Sequence, residues 1–199
     1  MKTRITRILA LIISITCVFS CFAGCAAKAS MFNGMTIAEQ TRYEEQAFSE
    51  DEAHIKGMFE RYYDKKEIDG TIYYLKESEA TFSRSDYSSS EELSSAVKKH
   101  FLEYMDYRAF SQIDINEDEK TITMKVNKEV YNPFDKNGLY HFQEAFFLSS
   151  KNKYMITITA QRKFSETSFG EISEDRKSVT IVFTSDKEAA PDEIVIKYQ

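Results

Sequence analysis

Two periodicities divide the chain into helices and strands. Apolar side chains at Ile55, Met58, Phe59, Tyr62 and Tyr63 recur three and four residues apart, on one face of a helix. Ser49 and Glu52 stand ahead of them at capping-box spacing. A helix is therefore expected over residues 50–63, with Gly70 opening the next element. A second stripe runs through Leu93, Val97, Phe101 and Tyr104, with Ala96 and Met105 beside it. Ser88 and Ser89 pair with Glu91 and Glu92 as overlapping capping boxes, which predicts the strongest helix of the chain over 91–106. Short helices are also expected over 39–47, from the Thr36/Glu39 spacing, and around 166–174, although Gly170 interrupts the latter.

Elsewhere the period shortens to two. Residues 72–75 and 80–83 are rich in aromatic and β-branched side chains and read as strands. Residues 110–115 and 121–126 flank the polar turn 116–120. Residues 139–148 and 154–161 flank a second turn at 150–153. In the latter strand Tyr154, Ile156, Ile158 and Ala160 face one way and Met155, Thr157 and Thr159 the other, the pattern of a half-buried antiparallel strand. Residues 179–183 and 194–198 end the chain as strands. This order predicts an α+β fold, a mainly antiparallel sheet with helices packed on it.

The first 25 residues follow neither period. Lys2, Arg4 and Arg7 make a basic start, and residues 5–22 are almost wholly apolar or small and run into Ala23-Gly24-Cys25 after Phe22. A charged start, an apolar middle and small residues at a cut are the layout of a signal peptide. Cys after Ala-Gly resembles the lipobox of bacterial lipoproteins, with Phe22 where that pattern prefers Leu. The resemblance implies cleavage before Cys25, palmitate-class acyl chains on its thiol, and anchorage at the extracytoplasmic face of the cell membrane. Ordinary secretion and an uncleaved anchor are the alternatives; roughly 16 apolar or small residues sit at the lower edge of what spans a bilayer. The expected organisation is a signal peptide over 1–24, a lipidated tether with a short helix over 25–48, and a single α+β domain over 49–199.

Cleavage changes the composition. Cys17 and Cys21 leave with the signal, so the mature chain carries no disulfide, no CxxC pair and no Cys zinc site. Three of the 26 basic residues and none of the 32 acidic ones lie in 1–24, so the mature chain has 23 basic and 32 acidic residues, a net charge of −9. That balance, without a basic stripe, excludes a nucleic-acid binder. It also repels anionic headgroups, leaving the lipid on Cys25 as the membrane contact.

The middle of the chain resembles Mog1/PsbP-like domains. The stretches that carry this are Gly138-Leu139-Tyr140-His141-Phe142-Gln143-Glu144, Tyr154-Met155-Ile156-Thr157-Ile158-Thr159-Ala160 and Ser178-Val179-Thr180-Ile181, behind the helix over 91–106. The resemblance spans residues 71–183 and implies a binding or accessory module with no particular catalytic residues. A cystatin- or NTF2-like helix on a curved sheet is the structural alternative.

Candidate chemistry is sparse. Asp114-x-Asn116-x-Asp118 imitates the start of an EF-hand loop, but Glu119 and Lys125 stand where the loop needs Gly and Glu, so a solvated turn is expected. His54, His100 and His141 share no metal spacing with one another, and His100 reads as a partly buried, hydrogen-bonded side chain. No nucleophile–base pair, H-E-x-x-H, G-x-S-x-G or phosphate loop occurs. The acidic cluster Glu44, Glu45, Glu50, Asp51 and Glu52 reads as helix-dipole support and solvation rather than a partner patch. Tyr62, Tyr63, Tyr73 and Tyr74 read as core and rim rather than a ligand groove. No catalytic residue, metal site or cofactor is assigned.

The expectation is thus a non-catalytic lipoprotein that binds an envelope protein or a small ligand. The alternatives are a small envelope enzyme with a scattered site, which a pocket gathering His100 or His141 with carboxylates would favour, and a structural module docking a partner by a sheet edge. An uncovered edge at residues 194–198 would favour that last reading.

Overall fold

A computed structural model describes residues 34–48, 53–105, 108–128, 146, 148–186 and 189–199. Cys25 and His141, the Ser49/Glu52 capping box, the acidic residues 50–52 and nearly all of the expected strand over 139–148 lie outside them.

The chain begins its described part with a strand, β1 (Met35–Glu44), followed by a helix, α1 (Ala53–Tyr62), and the hairpin β2 (Asp64–Ile68) and β3 (Thr71–Phe82). The second helix, α2 (Ser90–Lys99), widens into a π-helical segment over His100–Tyr104, where the Met105 N–H donates to the His100 carbonyl at 3.2 Å. Six strands follow: β4 (Phe110–Asn116), β5 (Thr121–Val126), β6 (Lys153–Thr159), β7 (Phe164–Thr167) and β8 (Glu171–Ile172), then β9 (Ser178–Thr184); β10 (Glu193–Tyr198) closes the chain. They form a six-stranded sheet in the order β2-β3-β1-β6-β9-β8 and a four-stranded sheet in the order β4-β5-β10-β7. All pairings are antiparallel. The α+β class holds, with two antiparallel sheets and two short helices.

Alternation builds the core. β1 buries Met35, Ile37, Glu39, Thr41 and Tyr43 on one face; β6 adds Tyr154, Ile156 and Ile158, and β9 adds Val179, Ile181 and Phe183. From the smaller sheet come Ile122, Met124, Ile194 and Ile196, from α2 Leu93 and Val97, and from the π-helical segment after it Phe101, all in one apolar cluster. Phe110 of β4 lies 6.1 Å from Phe183 of β9 and 5.8 Å from Phe101, so aromatic edges join both sheets and the second helix. The α2 cap forms as its sequence predicts: the Glu92 N–H donates to Ser89 Oγ at 3.1 Å, and Glu92 accepts from the Ser88 N–H at 2.8 Å.

The structure corrects the expected elements at several places. The helix expected over 39–47 is the strand β1 with one 3₁₀ turn at Glu45–Ala47. Glu39 and Thr41 take inward positions and hide the alternation, while pairing with β3 and β6 on both sides overrides local preference. The helix expected around 166–174 is β7 and β8. Gly170, at φ +95°, approaches the Thr180 carbonyl so closely that a Cβ would lie 2.5 Å from it, a geometry no helix offers. The strand at 194–198 is not an edge: β10 runs between β5 and β7. The two strands expected over 72–83 are one, β3, and its partner β2 was not expected at all.

Candidate functional site

β1 crosses the middle of the six-stranded sheet and sends side chains to both faces. On the inner face Glu39 is 5% exposed and accepts from the Tyr154 hydroxyl at 2.5 Å and from Ser78 Oγ at 3.4 Å. The register explains this: Glu39 faces Ser78 across β3, and Tyr154 faces Thr41 one position along on β6. A carboxyl group in an apolar core needs such donors, because leaving it unbonded would cost several kcal/mol.

At the end of β1 two further acidic residues are satisfied internally. Glu44 accepts from Lys151 Nζ at 2.7 Å and Ser149 Oγ at 2.5 Å, and these bonds hold its carboxyl below the usual range. Glu45 accepts from Lys65 Nζ at 2.5 Å, with Lys56 3.6 Å away, and its carboxyl is lowered by the Lys65 bond. Tyr74 donates toward Glu60 at 3.3 Å and Glu45 at 3.5 Å; burial, then those two carboxylates, push its hydroxyl upward. These two acids serve internal ion pairs, not an exposed patch.

The tyrosines divide between core and rim. Tyr74 is buried, and Tyr63 packs 4.7 Å from Phe59 and 5.7 Å from Tyr43. Tyr62 is exposed. His100 is half-buried beside Phe82, with 5.5 Å between ring centroids, and burial lowers its pKa. Its Nε2 has no hydrogen-bond partner among the described residues, so the hydrogen bond expected for it is not made there at that atom. His54 falls in α1. Among the described residues no three His, Cys, Asp or Glu side chains converge as metal ligands. Asp114 and Asn116 belong to the end of β4 and Asp118 to the β4–β5 turn, in which Asn116 Oδ1 accepts from the N–H groups of Asp118 and Glu119 at 3.1 and 3.0 Å. No described helix is long and apolar enough to cross a membrane.

The outer face of the same sheet carries the candidate site. Ala38, Gln40 and Arg42 alternate outward along β1, between Glu77 and Glu79 on β3 and Met155 and Thr157 on β6. They line a polar groove of about 540 Å³. The Gln40 carboxamide links its two charged sides, accepting from Arg42 Nε at 2.5 Å and donating to Glu77. Hydroxyl pairs extend the face: Thr36 to Thr81 at 3.3 Å, Thr157 to Thr180 at 3.1 Å and Thr159 to Ser178 at 2.9 Å. A cationic group, carboxylates, a carboxamide and hydroxyls on one open surface suit reversible polar recognition. The sequence reading missed this groove, because its residues belong to strands taken as helix, as two strands and as a hairpin. The only local signal is the outward polar set on β6. Comparison of the chain with family models, with curated proteins and with solved structures finds no match in any of the three.

Proposed function

We propose that this chain is an extracytoplasmic lipoprotein, anchored through acyl chains on Cys25, that acts as a binding module through the groove on the outer face of its larger sheet. The observation that carries the binding half is the groove itself, of about 540 Å³ and lined by Arg42, Gln40, Glu77 and Glu79. Ala23-Gly24-Cys25 behind the apolar run supports the anchoring half. A single acyl chain binds membranes only reversibly, whereas two or three, at about 0.8 kcal/mol per buried CH₂, hold a domain stably. Metabolic labelling with an alkynyl palmitate analogue in a bacterial host tests the anchor. The expected result is label on the full chain and none on Cys25→Ala, with the variant released from the membrane fraction. Equal labelling of the two would refute it.

A further inference from the structure

The charges around the groove are arranged against the rule for a stable sheet. Arg42 on β1 and Lys153 on β6 are directly opposite one another in the register. Like charges so placed destabilise a strand pair. Among the described residues neither meets a carboxylate within ion-pair distance. The other end has the opposite sign. Glu77 and Glu79 are two residues apart on β3 and share its outer face. Neither forms an ion pair among the described residues, and Glu79 has no side-chain hydrogen bond there. Placing Arg42 opposite a glutamate would have neutralised both ends within the fold. Instead the sheet keeps a cationic pair and an anionic pair apart, with neutral Gln40 bonded to Arg42 and Glu77 between them.

We propose that this groove binds a short extended peptide with free termini, its carboxylate at Arg42 and Lys153 and its ammonium group at Glu77 and Glu79. The inference rests on the binding-module reading and adds its ligand class. The spacing sets the length. Ala38, which faces Glu79, is four residues from Arg42 along β1. At about 3.4 Å per residue Glu79 stands about 14 Å along the strand from Arg42, the span of about four extended residues, and Glu77, which faces Gln40, about 7 Å. Ala38 leaves room at the Glu79 end of the groove, Met155 offers an adaptable apolar floor, and Thr157 adds a hydroxyl beside it.

The test is calorimetric titration of the lipidated protein in detergent micelles with tetra-alanine. The expected result is saturable binding that weakens as salt is raised from low to high concentration. Acetylated, amidated tetra-alanine should bind at least about tenfold more weakly, as should tetra-alanine to Arg42→Gln or Glu79→Gln, since each change removes one charge-assisted contact. Ala38→Trp, which fills the groove without removing a charge, should abolish binding. Unchanged melting curves would confirm that these outward positions leave the fold intact. Absence of saturable binding would overturn the inference, as would equal affinity for the capped peptide or preference for chitotetraose over tetra-alanine. Fatty-acid labelling is read independently, so failure of the anchor and failure of the peptide ligand are distinguishable.

Discussion

Replacing Phe101 by Ala tests the core where both sheets and the second helix meet. Phe101 is 1% exposed and packs edge-on against Phe110 at 5.8 Å. Truncating a buried Phe costs about 3–5 kcal/mol, from lost transfer energy and the cavity left behind. About 0.5–1.5 kcal/mol of that belongs to an aromatic pair of this geometry. The upper part of the range is expected, because the π-helical turn around Phe101 is fixed by its own backbone bond and cannot slide inward to fill the space. For a domain of this size each kcal/mol lowers the melting temperature by about 2–4 °C, so the shift should be roughly 6–20 °C. Tyr104→Ala supplies the comparison on the same turn. Tyr104 is 62% exposed and its only described cation contact is Lys99, 5.5 Å from its ring. Its loss should stay within about 1 kcal/mol. Urea unfolding followed by circular dichroism, with the slope checked for constancy, measures both. Equal shifts for the two variants, or a Phe101→Ala cost under about 1 kcal/mol, would refute the placement of this face in the core.

Two glycines should respond with opposite sign. Gly170→Ala forces a side chain onto the Thr180 carbonyl at a positive φ and should destabilise by more than about 1 kcal/mol, whereas Gly57→Ala, in α1 with nothing within 4 Å, should stabilise by about 0.5–1 kcal/mol; thermal melts of each variant decide. Acidification should weaken the fold in two separate windows. Below about 6.5 the unfolded chain binds a proton that buried His100 resists, and His100→Leu should remove that slope. The Glu44 carboxyl is lowered by Lys151 and Ser149, so its stabilisation is complete above its ordinary value of 4.5 and is lost as pH falls through the folded value; Glu44→Gln should flatten that limb in urea titrations across pH.

The elements with unbroken periods were legible in the sequence. The Leu93–Val97–Phe101 stripe, its serine cap, the β4–β5 hairpin and the alternation of β6 and β9 all appear where local pattern and burial agree. β1 was not, because two of its five inward positions are Glu39 and Thr41, and the Tyr154 and Ser78 donors to Glu39 are distant in the chain. β2 reads Asp-Lys-Lys-Glu-Ile, an exposed edge strand whose charges protect its open side and erase the apolar signal. Its turn did carry a signal: Asp69 and Gly70, at φ 51° and 75°, form the two-residue loop that Asp-Gly favours between paired strands. The groove was illegible for a different reason. Its chemistry exists only in the register of three strands, and no window of the chain contains Arg42 beside Lys153.

The position of β1 in its sheet also bears on how the molecule is made. The first of the described strands to leave the ribosome pairs on one side with β3 and on the other with β6, so that Thr36 lies opposite both Thr81 and Thr159. Its second edge therefore stays open while most of the chain is synthesised, and closing a loop of that length is a slow, late event. An open strand carrying Ile37 and Tyr43 invites pairing with the same strand of another nascent chain. Glu39, between those two apolar residues, puts a charge on the face such a pairing would have to bury, and its hydrogen bond from Tyr154 forms only when β6 arrives. The residue that obscures β1 in the sequence thus guards it against self-association until the rest of the sheet exists.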